Sequence, residues 1–376
     1  MIDHSRLVTQ FLQLVEINGS SGRERDVADY LKNKLNRLCI ETTEDCAGDS
    51  FNGTAGNLVG RMKGTLPYLP AILLCAHMDT IQPTLGIKPV ITNGTIATDQ
   101  STILGADDRA GVAIILEVIE LLQKENIPHG PIEIIFTVGE EIGMRGAKYL
   151  QVSDLKAKMG FVFDSSAEPR SIVIEAPASI LFEIRIIGKA AHAAVSPEKG
   201  INAIQIASQA IANLKMGRFG ETGTVNVGII SGGKATNIVP DEVLVKGEVR
   251  CPNEIDLQKQ MGVIEEQFRQ HAQAAGASIK FTADRKYSGF SLDENSQVVQ
   301  IAKKAISAAG YEPKPIKYPG GSDANILNEN GIPTVNLGVG FNNVHSPMES
   351  IAIENLVALT KIGLNIIRQS QNYFGE

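Results

Sequence analysis

Several short runs of the sequence are apolar at nearly every position and end in, or just before, a histidine or an acidic residue. The runs AILLCAH, IEIIFTV and MGFVFD have this character, and the strongly helical segment AGVAIILEVIELLQKEN separates the first run from the second. Strands that are apolar on both faces are typical of parallel sheets covered by helices on each side. The pattern therefore predicts an α/β fold with three layers and a mostly parallel central sheet.

The pattern changes after Ala176 and changes back near Ser288. Between these points the predicted elements follow the order β-α-β-β-α-β, which is typical of a ferredoxin-like unit. A chain of 376 residues also exceeds the roughly 250 to 300 residues that one core usually holds. We expect one α/β domain at 1–176 and 288–376, interrupted by an inserted α+β domain at 177–287.

Near the amino terminus, Ser21 and Glu24 have the S-x-x-E spacing of a capping box. A helical pattern, DVADYLKNKLNRL, follows directly. We therefore expect these two side chains to cap the start of that helix.

Composition excludes several classes of partner. The net charge of -7, from 42 acidic and 35 basic residues, indicates no basic surface for nucleic acid or an anionic membrane. No stretch is as apolar as a membrane span, and the first residues lack the layout of a signal peptide. The four cysteines have no CxxC spacing, so neither a disulfide framework nor a zinc knuckle is expected. We expect a cytoplasmic protein that binds neither nucleic acids nor membranes.

Histidine and acidic residues follow four of the predicted strands, and a further acidic pair precedes a predicted helix. Each has a simple structural explanation by itself, such as a turn or, for the acidic pair, helix capping. Because ligands bind at the carboxyl ends of strands in open α/β sheets, their coincidence predicts one site. Its candidate residues are His77, Asp79, Asp107, Asp108, Glu140, Glu141, Asp164 and His345.

Two histidines and several carboxylates, without thiolates, form a donor set that suits Zn, Co or Mn. The set is larger than one ion needs. A bridging carboxylate with two ligands on each side, together with one uncoordinated carboxylate, is the composition of a dinuclear hydrolase site. In an extended backbone His77 and Asp79 point to the same side, so Asp79 can accept the second N–H of the imidazole.

Six motifs occur in a fixed order: AHMDT, GADDRAG, GEEIGMRGAKYL, FDSS, GKAAHAAVSPEKGINAI and HSPMES. Together they resemble the dinuclear zinc peptidase family that includes peptidase T, aminoacylase and glutamate carboxypeptidase. The resemblance covers essentially the whole chain. It implies two divalent metal ions, with zinc expected and Co or Mn as alternatives. The implied ligands are His77 and Asp164 for one ion, Glu141 and His345 for the other, and Asp107 as the bridge.

The resemblance also implies roles for residues that bind no metal. Asp79 would orient His77, and Glu140 would be the general base. The inserted domain would be the family's lid and dimerisation domain, so a homodimer is expected.

Within the inserted domain, the resemblance implies that His192 stabilises the oxyanion in the partner subunit's site. Arg250 would hold a substrate carboxylate, and Asn237 would add a hydrogen bond to the substrate. Gly321, in GGSD, would let the backbone approach the substrate closely. From the residues alone, a turn histidine, a surface salt bridge and a plain turn remain the alternatives for His192, Arg250 and Gly321.

The similarity is strongest to the peptidase T branch, which implies removal of the N-terminal residue from tripeptides by a hydroxide that bridges the two metal ions. The motif HSPMES resembles the aminoacylase and carboxypeptidase branches instead. An N-acyl amino acid amidohydrolase or a carboxypeptidase-type hydrolase is therefore the alternative. A third hypothesis is a non-catalytic metal-binding or peptide-binding protein, against which the presence of Glu140 argues, since binding alone requires no base.

Overall fold

The structure is a computed structural model that describes residues 2–220 and 222–375. It divides into two compact units. The first comprises the segment that ends at Ile174, Leu292–Tyr318 and the segment that starts at Ser322, and the second comprises Glu175–Ser291 and Pro319–Gly321. These boundaries differ from the expected ones by two residues (174 against 176) and by four (291 against 287). Gly321, expected in the α/β domain, lies in the second unit.

A mostly parallel sheet forms the centre of the first unit. Its inner strands are parallel to one another and almost entirely buried, as their apolar sequences require. The strand order is Glu41–Glu44, Leu58–Met62, Ile132–Thr137, Ala71–His77, Ala157–Ser165, Thr334–Gly338, Ser171–Ala176 and Phe290–Ser291, with Lys314–Lys317 also paired to Ser171–Ala176. The predicted α/β fold with a mostly parallel sheet is confirmed.

Helices pack against this sheet through one continuous apolar core. In the first helix, for example, Leu7, Phe11 and Leu14 are buried at helical spacing, and Asp3 caps the amino end by accepting the backbone N–H of Arg6. The α-helices of this unit are His4–Glu16, Arg25–Arg37, Ala106–Lys124, Arg145–Tyr149, Gln297–Ala309, Asp323–Glu329 and Ile353–Gly375.

The helix Arg25–Arg37 corrects the expectation of a capping box. Glu24 is its N-cap residue, but no side chain caps the helix by a hydrogen bond. Ser21 and Glu24 bond instead to residues that follow two strands of the central sheet. The predicted capping box is therefore wrong, because these two side chains have tertiary partners.

A smaller antiparallel sheet joins two strands from the carboxyl-terminal part of the chain to two strands from the amino-terminal part. Phe341–Asn342 pairs with Ser350–Ala352, which in turn pairs with Thr95–Thr98, and that strand pairs with Pro89–Thr92. The loop that carries His345 therefore connects two paired strands. This pairing restricts the position of the loop.

The second unit consists of an antiparallel sheet and two helices, Ala203–Ala212 and Glu254–Ala274, with an apolar core of its own. All paired strands are antiparallel. The strand order is Gly217–Phe219, Gly223–Gly232, Glu242–Cys251, Ala178–Ile187 and Ser278–Tyr287. Apart from the short strand at its edge, this unit has the predicted ferredoxin-like order, and the inserted α+β fold is confirmed.

The apolar segments include no membrane-spanning helix within the described residues, and one of them contains a buried cysteine. Over residues 2–220 and 222–375, no helix combines the length and apolar character needed to cross a membrane. Cys75 is buried within the strand Ala71–His77, where it packs as a small apolar residue.

Candidate metal centre

The central sheet brings the predicted acidic and histidine side chains to one edge. His77 is the last residue of its strand, and Asp164 is the second-last residue of the parallel strand beside it. Glu140 and Glu141 follow the strand that ends at Thr137. Because these strands are parallel, their carboxyl ends lie at the same edge of the sheet.

Asp107 lies between the two histidines of the site. Its Oδ1 is 3.1 Å from Nε2 of His77, and its Oδ2 is 3.4 Å from Nε2 of His345. Both carboxylate oxygens of Glu141 are 3.0 Å from Nε2 of His345. Oδ1 of Asp164 is 3.7 Å from Nε2 of His77. The two oxygens of one carboxylate thus face two separate groups of donor atoms, as a bridging ligand requires.

Asp108, the next residue, has a different environment. Its Oδ1 accepts the backbone N–H of Gly111 at 3.0 Å, and its Oδ2 accepts the backbone N–H of His77 at 3.2 Å. Asp107 and Asp108 have non-helical backbone angles, so the regular helix starts after them, and the first of these bonds satisfies an N–H in its first turn. Helix capping, the alternative explanation for the acidic pair, therefore describes Asp108, whereas Asp107 faces the histidines.

The donor atoms are close enough to share cations. Ligand atoms of His77, Asp107 and Glu141 lie within 4.8 Å of one another, and so do those of His77, Asp108 and Asp164. Burial raises the pKa of Asp164 well above its ordinary value, and the nearby Asp107 carboxylate adds to this. Buried carboxylates this close together repel one another unless a cation compensates. Imidazole and carboxylate donors with no thiolate fit zinc, cobalt or manganese.

The two histidines hold the carboxylates together electrostatically. Contacts with Asp107 and then Glu141 raise the pKa of His345 to about 10. Burial opposes ionisation of His77, but hydrogen bonds with Asp107 and Asp164 raise its pKa well above the ordinary value. The same contacts, from His345 and His77, outweigh burial and lower the pKa of Asp107. Both imidazoles therefore contact the same carboxylates with which a metal ion would interact.

Asp79 connects His77 with the Glu140–Glu141 segment. Its backbone carbonyl lies 2.9 Å from Nδ1 of His77, whereas its carboxylate oxygen Oδ1 is 3.4 Å away. The carboxylate accepts the backbone N–H groups of Glu140 and Glu141, at 3.0 and 3.2 Å, and the hydroxyl of Ser21 at 2.6 Å. The main-chain carbonyl of Asp79 is therefore closer to the imidazole than its carboxylate is.

The carboxylate of Glu140 accepts no hydrogen bond from the residues that the structure describes. Burial raises its pKa well above the ordinary value, and the carboxylates of Asp164, Asp323 and Glu141 raise it further. Because its backbone is fixed while its carboxylate is not engaged, this side chain is suited to bind and deprotonate a water molecule.

Two buried residues outside the set predicted from the sequence support the site. Glu349 accepts the backbone N–H groups of Gly105 and Asp107, at 2.6 and 3.0 Å. Asn336 accepts the backbone N–H of Asp164 at 3.0 Å and donates to its carbonyl at 3.2 Å. The sequence offered two weak signals for these residues. Asn336 is an amide within an apolar strand, and Glu349 is an acidic residue four positions after His345. Neither could be assigned a partner without the fold.

In the second unit, the structure brings the loops of His192 and Asn237 together. The backbone of His192 pairs with that of Ile238 in a single antiparallel β-bridge, and the backbone carbonyl of Asn237 accepts the N–H of Ala193 at 2.9 Å. Nδ1 of the exposed His192 accepts the backbone N–H groups that follow it in the turn, at 3.2 and 3.3 Å. A neutral ring therefore carries its proton on Nε2.

Arg250 and Gly321, also in the second unit, have local partners. Nε of Arg250 donates to Oε1 of Glu248 at 2.9 Å. The salt bridge that is the alternative explanation for Arg250 is therefore present. A Cβ atom at Gly321 would lie 2.5 Å from the ring of Tyr287. Packing against this ring explains why residue 321 is a glycine, so the close approach seen here is to a side chain of the same chain.

Comparisons with known proteins identify the family. The sequence profile of Peptidase family M20/M25/M40 matches residues 73–369. The uncharacterized protein YqjE of Bacillus subtilis (strain 168) is 41% identical over 370 residues, which are 98% of this chain and 100% of that one.

Two solved structures have the same fold over nearly their entire length. The aminopeptidase PepT of Bacillus cereus has a TM-score of 0.93 and 39% identity, covering 98% of this chain and 99% of that chain. A tripeptidase of Staphylococcus aureus has a TM-score of 0.96 and 39% identity, covering 99% and 100%. The resemblance inferred from the six motifs is thereby confirmed, and the chain belongs to peptidase family M20/M25/M40.

Proposed function

We propose that this protein is a metal-dependent aminopeptidase that removes the N-terminal residue from tripeptides. One observation carries the proposal: the carboxylate of Asp107 faces His77 with one oxygen and His345 with the other, at 3.1 and 3.4 Å. This geometry is what a dinuclear hydrolase requires of its bridging ligand. The solved aminopeptidase and tripeptidase to which the chain is 39% identical support the choice of substrate.

We also propose which residues would hold the metal ions. As the family resemblance implies, His77 and Asp164 would bind one ion, Glu141 and His345 the other, and Asp107 both. The contacts of His77 with Asp164 and of His345 with Glu141 support this partition. When bound, two divalent ions would lower the pKa of a shared water molecule and polarise the scissile carbonyl. We propose zinc as the metal, with cobalt or manganese as alternatives that suit the same donors.

Glu140 is the proposed general base. Its carboxylate would take a proton from the attacking water and pass it to the leaving amine. The high proton affinity that burial gives this carboxylate suits the first step.

Two residues of the second unit are proposed to bind substrate. His192 would donate from Nε2 to the oxyanion in the partner subunit's site, since its Nδ1 already accepts two backbone N–H groups. Arg250 would bind the carboxyl terminus of the peptide, in exchange for its contact with Glu248. Asn237 and the backbone at Gly321 are the remaining candidates for hydrogen bonds to the substrate.

The test compares three substrate classes: unblocked tripeptides, dipeptides and N-acetyl amino acids. The purified protein is reconstituted with zinc, cobalt or manganese, with a chelated sample as control, and the products are identified by mass spectrometry. We expect release of the N-terminal residue from tripeptides, abolished by the chelator and by N-acetylation of the peptide. Cleavage of N-acetyl amino acids alone would favour the amidohydrolase, and metal binding without turnover would favour a binding protein.

We also propose that the protein acts in the cytoplasm as a homodimer that forms through the second unit, its lid and dimerisation domain. The strand Gly223–Gly232 supports this. On the edge that faces Gly217–Phe219, only its first residues have a partner strand within the described chain. Ile229 and Ile230, in the remaining part, are about half exposed. Light scattering after size-exclusion chromatography would give the molar mass, and a monomer at micromolar concentration would exclude this assembly.

A further inference from the structure

The segment Gly19–Glu24 lies beside the chain that follows His77. The carbonyl of Gly19 accepts the backbone N–H of Thr80 at 3.1 Å, and Ser20 forms a parallel bridge with Thr80. This segment contains the S-x-x-E motif that does not cap a helix. Its two polar side chains, Ser21 and Glu24, make tertiary contacts instead.

Both of these side chains are directed toward the turn at Gly139, Glu140 and Glu141. Oε1 of Glu24 accepts the backbone N–H of Gly22, within its own segment, at 2.7 Å and that of Gly139, in the turn, at 3.2 Å. The hydroxyl of Ser21 donates to Oδ2 of Asp79 at 2.6 Å, and Asp79 accepts the two backbone N–H groups that follow. Three consecutive N–H groups of the turn are thus bound by two buried carboxylates.

This turn requires such support. Gly139 has a φ of +60°, a left-handed conformation in which consecutive N–H groups form a concave site for negative charge. Without acceptors, these N–H groups, of which that of Gly139 is buried and the other two are partly buried, would each lose a hydrogen bond and the turn would relax. The carboxylate of Glu140 would then move with its backbone.

Arg109 fixes the segment from its other side. The side chain is buried, and its Nη2 donates to the carbonyls of Ile17 and Gly19 at 3.5 and 3.4 Å. Arg109 belongs to the helix Ala106–Lys124, whose amino end contains Asp107. The segment therefore contacts the helix of the proposed bridging ligand as well as the turn of the proposed base.

We propose that Glu24 and Ser21 are positioning residues that hold Glu140 in place, Glu24 directly through the Gly139 N–H and Ser21 through Asp79. This inference rests on the proposed function, in which Glu140 is the base. A displacement of about 1 Å of a reacting group can reduce the rate about 100-fold.

The test uses two isosteric variants. Glu24→Gln keeps an oxygen that can accept the Gly139 N–H, whereas Glu24→Met keeps the volume and removes the acceptor. We expect kcat within about 3-fold of wild type for Glu24→Gln. For Glu24→Met we expect kcat about 10- to 100-fold lower, with KM and the content of two metal ions unchanged. Hydrogen exchange, followed by mass spectrometry on peptides covering 139–141, should be at least about 10-fold faster in Glu24→Met.

Glu133 provides a matched control. It is a buried glutamate that accepts two backbone N–H groups, of Lys156 and Ala157, at the amino end of the strand that leads to this turn. Glu133→Met should lower the melting temperature while kcat and the exchange at 139–141 stay unchanged.

The inference is overturned if Glu24→Met has wild-type kcat, if the exchange at 139–141 is unchanged, or if its kcat falls only in proportion to lost metal. A wild-type kcat in Glu140→Gln, or no hydrolysis by the wild type, would instead contradict the proposed function. In that case the exchange data alone decide whether Glu24 holds the turn.

Discussion

The buried carboxylate of Glu349 accepts the backbone N–H of Asp107 at 3.0 Å. Its other oxygen accepts the N–H of Gly105 at 2.6 Å. Glu349 lies in the loop of His345, so it joins the loop of one proposed metal ligand to the backbone of the proposed bridge. Such contacts to the residues around a metal ligand commonly change metal affinity by about 10- to 100-fold.

Removal of this contact should weaken metal binding. We expect Glu349→Ala to bind one of the two zinc ions about 10- to 100-fold more weakly, because Asp107 loses its backbone support. Isothermal titration calorimetry on the metal-free protein measures this. Glu354→Ala, at an exposed glutamate five residues later, is the control. Two ions bound with wild-type affinity in Glu349→Ala would contradict the expectation.

Adjacent aspartates should respond differently to the same change. Asp107→Asn should lose at least one zinc ion, because an amide cannot bridge two cations. Asp108→Asn should keep both ions. Its free energy of unfolding should be about 1 to 3 kcal/mol lower, because the new amide nitrogen faces a backbone N–H of Gly111 or His77. Metal analysis and urea denaturation separate the two effects. If Asp108→Asn alone lost metal, the assignment of the bridge would be reversed.

Replacement of the proposed base should separate chemistry from metal binding. We expect Glu140→Ala to retain two metal ions and to lose about 10²- to 10⁴-fold in kcat, as is typical for a general base. The measurement is tripeptide hydrolysis with metal analysis of the same sample. An active Glu140→Ala protein would exclude this residue as the base.

Arg250 should discriminate between peptides by their carboxyl terminus. We expect Arg250→Ala to raise KM for a tripeptide by about 10-fold or more and to leave KM for the corresponding tripeptide amide nearly unchanged, because only the former presents a carboxylate. Arg250→Lys should restore only part of the affinity, since lysine lacks the bidentate fork. Equal effects on both peptides would indicate that Arg250 stabilises the lid through Glu248 instead.

The stability of the metal-free protein should fall as pH rises. Burial raises the pKa of both Glu24 and Glu349 from 4.5 to about 7 in the folded chain. Between pH 4.5 and about pH 7 the folded state therefore binds more protons than the unfolded state. The free energy of unfolding that these two groups contribute is fully present below pH 4.5 and is lost as the pH rises to about 7. Urea denaturation of chelator-treated protein from pH 5 to pH 7.5 should show this decline. A rise in stability would contradict it, and Glu24→Gln with Glu349→Gln should flatten the profile.

The sequence by itself determined the elements of the fold and the residue types that meet in the candidate site. Apolar periodicity identifies a strand or helix because burial of a face depends on local spacing, as in Ala71–His77 and the helix after Asp108. The polar residues that follow such strands could be predicted to meet, since parallel strands place their carboxyl ends at one edge. The motifs then indicated the family, which the comparisons confirm.

Only the tertiary structure decided which partner each polar side chain has. Ser21 and Glu24 have the spacing of a helix cap, yet they bind Asp79 and Gly139, which are 58 and 115 residues away in the chain. Glu349 likewise bonds to a backbone N–H 242 residues before it. Local spacing contains no information about such contacts, because they depend on how the strands are ordered in the sheet. The division of roles between Asp107 and Asp108 depends on the tertiary structure for the same reason.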